Sequence, residues 1–210
     1  CLITETGKPF ETKILPRGDF MDQSGEVVLP AIPEFLGEIN KQGRATRLDL
    51  ANWLVSKENP LTARVFVNRL WQNFFGRGIS TISEDLGSQG EPPSHPKLLD
   101  HLAWSFMESG WDIKALVKQI VLSKTYRQHS NVSEDLLKRD PYNHLLAHQT
   151  PRRLAAEFIR DNALSLSQLL NPKVGGGNFF PYQPAGYYDQ LYPKRKYIED
   201  LNPYQYRRAL

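Results

Sequence analysis

Apolar residues recur at helical spacing along the middle of the chain, from about residue 46 to residue 170. The clearest stripe runs from Ala63 to Phe74 at intervals of three and four residues, the pattern of a helix with one face in a core. Gly76 follows it, and glycine there favours the left-handed conformation that ends helices. Similar stripes predict six or seven helices in all. The others are expected to begin near Arg47, Pro96, Ile113, Glu134, Pro141 and Arg152, and the last of them to reach Leu170.

The first turns and the apolar faces of these helices predict caps and a hydrophobic core. Polar residues favoured as N-caps stand at Thr62, Ser94 or His95, Asp112 and Ser133. The expected core residues are Leu50, Leu54, Phe66, Val67, Leu70, Trp71, Phe74, Leu99, Leu102, Trp104, Phe106, Trp111, Leu116, Val117, Ile120, Leu154, Phe158 and Ile159.

The two ends of the chain differ from its middle. Residues 1–45 lack helical periodicity and contain two short strand candidates, Phe10 to Leu15 and Val27 to Leu29. After Pro172 a run of three glycines precedes seven of the nine tyrosines. The pattern therefore predicts a mainly α fold with minor β at the N-terminal end. We divide it into an irregular segment at 1–45, a helical core domain at 46–172, and a glycine hinge with a tyrosine-rich arm at 173–210.

Charge and cysteine content narrow the functional classes. Twenty-six basic and 23 acidic residues leave a net charge of +3, a surplus too small to indicate a nucleic-acid partner. The single cysteine, Cys1, cannot form a disulfide within the chain or a thiolate cluster for a metal. We interpret it as a processing boundary rather than a lipidated N-terminus, and expect both ends to be cuts within a longer protein. No apolar run reaches the roughly 20 residues of a membrane span.

Several strings carry a family resemblance. They are residues 59–79, residues 85–103, Gly-Trp-Asp-Ile-Lys at 110–114, Ser-Lys-Thr-Tyr-Arg-Gln at 123–128 and Arg-Arg-Leu-Ala-Ala-Glu-Phe-Ile-Arg-Asp at 152–161. Together and in this order they closely resemble the planctomycete-specific C-terminal domain family known as domain of unknown function fifteen-fifty-three. The resemblance runs from about Leu15 to the end of the chain.

The resemblance implies a setting rather than an activity. Such domains usually form the C-terminal part of large secreted proteins, which often also carry a cytochrome-c-like haem domain. The resemblance therefore implies an extracytoplasmic location. The expected partners are the other domains of the same full-length protein. No catalytic residue can be carried over from the family. Because this chain has no Cys-x-x-Cys-His string, we expect no cofactor in it, and any haem to lie in another domain.

The long loop at 76–96 holds a candidate ligand site. It gathers the residues Arg77, Glu84, Asp85, Glu91 and His95. Carboxylates and an imidazole among glycines are suited to cation binding or acid–base chemistry. The alternative, which we favour, is that these side chains serve as turn residues, caps and ion-pair partners.

Two further polar sets lie between residues 144 and 161. His144 and His148 would share a helix face and suit a divalent metal, although isolated histidines are the favoured interpretation. The other set is predicted to be a structural ion network on the polar face of the last helix. Its members are Arg153, Glu157, Arg160 and Asp161.

The tyrosine-rich arm is the strongest candidate for an interface, because tyrosine combines apolar area with a polar tip. Its expected contact residues are Tyr182, Tyr187, Tyr188, Tyr192 and Tyr197. Packing within the chain is the alternative for the arm.

Three functions remain open. The first is a non-catalytic interaction or scaffold domain of a larger extracytoplasmic, haem-associated protein, with the arm and the 76–96 loop as its contact surface. The second is an enzyme or ligand-binding domain that acts on polysaccharide through the acidic and histidine residues of the loop. The third and weakest is nucleic-acid binding, which the small net charge disfavours.

Overall fold

A computed structural model of the chain describes residues 7–39, 41–186 and 197–208. The chain forms two compact units, Cys1–Thr150 and Pro151–Leu210, called here the first unit and the second unit. The boundary between the two units lies at residue 150, before the helix predicted to begin at Arg152. The sequence pattern instead places a domain boundary after that helix, at residue 172. The fold is mainly α with a small N-terminal sheet, as predicted.

The first unit begins with a two-stranded antiparallel sheet and continues with helices. Strand β1 pairs with β2 so that Thr12 lies opposite Val28. The bounds are Thr12–Lys13 for β1, Val27–Val28 for β2, Arg47–Leu54 for α1, Thr62–Phe75 for α2, Pro96–Glu108 for α3, Ile113–Leu122 for α4 and Glu134–Arg139 for α5.

Side-chain caps explain where several helices begin. At α1, Thr46 and Asp49 form a reciprocal capping box. Asp112 and Ser133 cap α4 and α5 as predicted, each by accepting a backbone N–H three residues on. The predicted Thr62 cap of α2 is wrong. Thr62 is the first helical residue, and the carboxamide oxygen of Asn59 accepts its N–H at 3.0 Å.

The core of the first unit lies mainly between α2 and α3. The aromatic ring of Phe66 stacks on Phe106 at 5.0 Å, and Trp71 stacks on Phe75 at 4.0 Å. The buried apolar residues are Ala63, Val67, Trp71, Phe75, Ile79, Leu99, Leu102, Ala103, Phe106, Leu116 and Ile120. Phe66, Leu70, Phe74 and Trp111 pack against this cluster and are partly buried, and Val117 is half-buried.

Six predicted core residues are exposed. On α1, Leu50 and Leu54 lie one turn apart on the same side of the helix, but both stay exposed. Trp104 is also exposed, because five residues on from Leu99 it lies about 140° away around α3. The remaining three are Leu154, Phe158 and Ile159.

The second unit contains α6, Ala156–Leu166, and a short 3-10 helix at Pro203–Tyr206. The predicted helix from Arg152 to Leu170 is therefore too long. Its start is delayed because Ala155 has extended backbone angles, and it stops before Gln168, whose φ is +60°. Beyond α6, Asn171 forms a parallel bridge with Arg207. Among the described residues of both units, no helix is long and apolar enough to cross a bilayer.

Candidate functional site

The 76–96 loop is anchored by a buried amide on α2. Asn68 is fully buried, and its Oδ1 accepts the N–H of Ser80 at 2.9 Å while its Nδ2 donates to the Ser80 carbonyl at 2.9 Å. The same Nδ2 donates to Ser83 Oγ at 3.0 Å. A methyl group on Gly78 would lie 2.8 Å from the amide, so glycine is required for this close approach. The loop is thus built around Asn68.

The five loop residues predicted to bind a ligand mostly form hydrogen bonds or ion pairs with nearby residues. Arg77 donates to Thr81 Oγ1 at 2.8 Å and pairs with Glu91 at 3.5 Å. That ion pair is the one direct contact within the predicted set among the described residues. The guanidinium of Arg77 also lies 5.4 Å from the ring centre of Tyr142.

The other three predicted loop residues also have neighbouring partners. Glu84 lies 3.8 Å from Arg69 of α2. Asp85 accepts the N–H of Gly87 at 2.8 Å, which makes it a turn residue. His95 contacts Ser94 Oγ at 3.1 Å. The loop therefore distributes these groups over separate contacts, and no group of three or more His, Cys, Asp or Glu side chains within the described ranges could hold a metal.

A cleft lies beside this loop, bounded by the start of α2, residues 86–96 and α3. Its volume is about 470 Å³, and its lining is mostly apolar. One wall carries an ion pair in which Arg64 Nε donates to Asp100 Oδ1 at 2.7 Å. Arg64 Nη1 also donates to the Pro60 carbonyl at 2.6 Å, which holds the guanidinium against the wall.

The two predicted metal-binding histidines do not share a helix face, because residues 141–150 form turns. The helix predicted to begin at Pro141 is therefore wrong. His148 is buried and His144 is exposed. The carboxamide of Asn143, the residue before His144, donates to the His148 carbonyl at 2.7 Å and stabilises the turn.

Asp140 closes the same turn. Burial raises the pKa of its carboxyl group, but the N–H groups of Leu145 and His144, both at 2.8 Å, favour the ionised form and hold that pKa below its ordinary value. Asp140 is therefore a structural anion that stabilises the turn where a helix was predicted to begin.

The predicted ion network in the second unit forms only in part. Arg160 donates to the backbone carbonyls of Gln205 and, at 2.8 Å, Arg207. Asp161 lies 4.0 Å from Arg160 and 4.0 Å from Arg208. Arg153 and Glu157 are exposed. Neither forms an ion pair with any residue that the structure describes.

A second arginine completes the scaffold of this unit. Arg207 is buried, and its guanidinium donates to the carbonyls of Gly175 at 2.6 Å and Gly177 at 3.2 Å. Gly175 has a φ of +83°, a conformation that favours glycine. Arg207 thus fixes the backbone of the predicted glycine hinge through these hydrogen bonds.

These contacts determine which side of α6 faces outward. Arg160, Asp161 and Leu164 are half-buried on one side of the helix. On the other side, Phe158 is 54% exposed and Leu166 is 80% exposed. The helix buries its charged side within its own unit and leaves its apolar side uncovered, with none of its residues fully buried.

Two of the predicted interface tyrosines can be placed. Tyr182 is exposed, and the Tyr197 hydroxyl donates to the Pro181 carbonyl at 2.5 Å. Tyr197 also contacts the ring of Phe180 edge-on, at 5.7 Å between ring centres. Tyr187, Tyr188 and Tyr192 lie outside the described residues.

The fold and these surfaces define a mainly helical domain with an apolar cleft on one unit and an exposed apolar helix side on the other. The chain belongs to the PSD1 family, described as protein of unknown function (DUF1553), whose profile matches residues 46–210. No curated protein and no solved structure matches the chain.

Sequence reasoning missed the residues that organise these surfaces. Asn68 left a signal, since it lies three and seven residues before Trp71 and Phe75 and so shares their buried side of α2. Arg64 and Asp100 left none, because their contact joins residues 36 positions apart. The role of Arg207 left no signal either, because the residue lies in a stretch without periodic pattern.

Proposed function

We propose that this chain is a non-catalytic interaction domain, with the apolar side of α6 as its main contact surface. The observation that carries the proposal is the orientation of α6, which turns Phe158, Ile159 and Leu166 outward. An isolated helix of this length is marginally stable in water, so its apolar side is expected to gain stability from a partner. Burial of such side chains contributes about 25 cal/mol per Å² of apolar area.

The proposed partners are the other domains of a larger extracytoplasmic protein that carries a haem group in one of them. The location, the haem and these partners enter the proposal from the family resemblance. The structure contributes a fixed contact side, since Arg160 and Arg207 hold the segment around α6 through backbone carbonyls. A contact side that is fixed before binding loses less conformational entropy when the partner docks.

The proposed contact surface therefore differs from the one predicted from sequence, which consisted of the arm and the 76–96 loop. The 76–96 loop is occupied with its own contacts, which include Asn68 and Arg77. Exposed Tyr182 belongs to the second unit, as α6 does, and stays within the proposed surface.

The test is a binding titration between the whole chain and the remaining domains of the full-length protein. The variant Phe158→Asp with Ile159→Asp places two charges on the apolar side and should weaken binding at least about 10-fold. Leu122→Asp is the matched control, because Leu122 is an exposed leucine of the first unit. No binding by the unaltered chain, or equal losses in the α6 variant and the control, would contradict the proposal.

A further inference from the structure

The cleft of the first unit has the features of a preformed small-molecule site. Its volume of about 470 Å³ lies within the roughly 300–1,000 Å³ typical of such sites. Leu99 lies at its base and is buried, and four prolines contribute to its walls. Proline fixes its own φ angle, so walls of this kind have little freedom to lose when a ligand binds. The four are Pro60, Pro92, Pro93 and Pro96.

The charges around the cleft are balanced. Arg64 pairs with Asp100 at 2.7 Å, and Glu91 on the rim pairs with Arg77 at 3.5 Å. An anionic or cationic ligand would meet no unpaired charge of opposite sign among these residues, and so would gain little for the water it loses. The balance favours a neutral ligand.

The same ion pair still offers polar groups to such a ligand. Arg64 donates through Nε and Nη1, and its Nη2 forms no hydrogen bond with a described residue. Asp100 uses Oδ1, and its Oδ2 has no partner among the described residues. The ion pair therefore leaves one donor and one acceptor without a hydrogen bond to the described residues. A sugar is suited to them because each of its hydroxyl groups both donates and accepts hydrogen bonds.

An exposed indole continues this surface beyond the cleft. Trp104 is 59% exposed and follows Asp100 by four residues on α3, about 6 Å along the helix axis. Helix side chains lean toward the N-terminus, so the indole leans toward Asp100. Its face can cover the apolar C–H groups of a sugar ring while the ring's hydroxyl groups stay in water.

We propose that the cleft and Trp104 together form a binding site for neutral oligosaccharides. The inference is independent of the interaction surface on α6, because the residues that carry it belong to the first unit. It also differs from the loop cluster predicted by sequence, of which only Glu91 lines the cleft. One sugar unit would occupy the cleft beside Arg64 and Asp100, and a neighbouring unit would lie on Trp104.

The test is calorimetric titration of the whole chain with neutral oligosaccharides of four to six units. The probes are β-1,4-linked glucose, β-1,4-linked mannose, β-1,4-linked xylose and α-1,4-linked glucose series. We expect saturable binding of at least one series. Trp104→Ala should weaken that binding about 10-fold or more, since truncation of a central aromatic contact typically has an effect of this size.

Two more variants separate the site from a general effect on folding. Asp100→Asn keeps the side-chain shape, removes the charge and should also weaken binding several-fold. Leu122→Ala alters an exposed apolar residue on α4 and should leave binding unchanged. Circular dichroism spectra should show the same helix content for all three variants.

Three results would overturn the inference. One is the absence of saturable binding for every series. Another is binding that Trp104→Ala and Asp100→Asn leave unchanged, which would place the sugar elsewhere. The third is that a proline-rich peptide binds in a manner sensitive to both variants whereas the oligosaccharides do not, which would make the cleft a peptide site.

Discussion

Helices α2 and α6 are both amphipathic, yet they use their apolar sides in opposite ways. In the first unit, Val67 and Trp71 of α2 are buried against α3. In the second unit, α6 keeps Arg160 against its own chain and leaves Phe158 exposed. Apolar periodicity therefore identifies the apolar side of a helix, but not whether the helix's own unit covers that side.

The largest expected difference between the units concerns a matched pair of leucines. Leu116 is buried in the first core, so Leu116→Ala should lower the free energy of unfolding by about 2–5 kcal/mol. Leu166 is 80% exposed, and Leu166→Ala should change stability by no more than about 0.5 kcal/mol. Urea unfolding followed by circular dichroism measures both. Similar losses for the two would mean that α6 has an apolar cover in the isolated chain.

The next effect concerns the charged side of α6. Arg160→Met removes the hydrogen bonds of a charged, partly exposed donor to the 205–207 backbone, an effect of roughly 1.5–3 kcal/mol. Hydrogen exchange at residues 203–208 should accelerate strongly while α2 and α3 stay protected. Arg153→Met is the control, because Arg153 is exposed and should leave exchange unchanged. Unaltered exchange in Arg160→Met would show that this contact does not hold the segment.

A smaller effect is expected where the first unit buries a polar group. Asn68→Ala leaves the Ser80 N–H without its partner, at a cost of about 1–3 kcal/mol. Asn73→Ala changes an exposed asparagine on the same helix and should be near neutral. Exchange at residues 78–83 and the thermal midpoint report the difference. If both variants melt alike, the loop does not depend on Asn68.

The smallest expected effect is acid sensitivity at α1. Hydrogen bonds from Lys41 and Thr46 lower the pKa of Asp49 to about 2, from an ordinary value of 3.8. The folded state thus favours the ionised carboxylate, and this contribution is complete above the ordinary pKa. It is lost as pH falls from 3.8 to about 2. The stability gap between the unaltered chain and Asp49→Asn should close over that interval. A gap that stays constant would contradict the assignment.

The sequence predicted local structure well where a long stripe or a cap decides the outcome. The stripe of α2 and the Asp112 and Ser133 caps are confirmed. Thr62 was wrong because Asn59, three residues earlier, supplies the capping oxygen instead. The missed start of α6 has a similar local cause, since Ala155 takes extended backbone angles.

The candidate surfaces were harder to predict, for a physical reason. Helical spacing determines which residues share a side of α6, but not which side faces inward. That choice depends on Arg160 reaching carbonyl groups some 45 residues away. The cleft likewise requires Arg64 to meet Asp100 across two helices. The interface tyrosines and the extracytoplasmic, haem-associated setting stay predictions.

The proposed interaction surface depends most on the outward orientation of the apolar side of α6, and cysteine labelling tests that orientation directly. Cys1 is the single cysteine, so Cys1→Ser gives a background in which Ile159→Cys or Leu116→Cys carries the one thiol. Ile159→Cys should react at nearly the rate of a free thiol in the isolated chain, and more slowly once the other domains are added. Leu116→Cys should react slowly in both cases. Slow labelling of Ile159→Cys in the isolated chain would contradict the account.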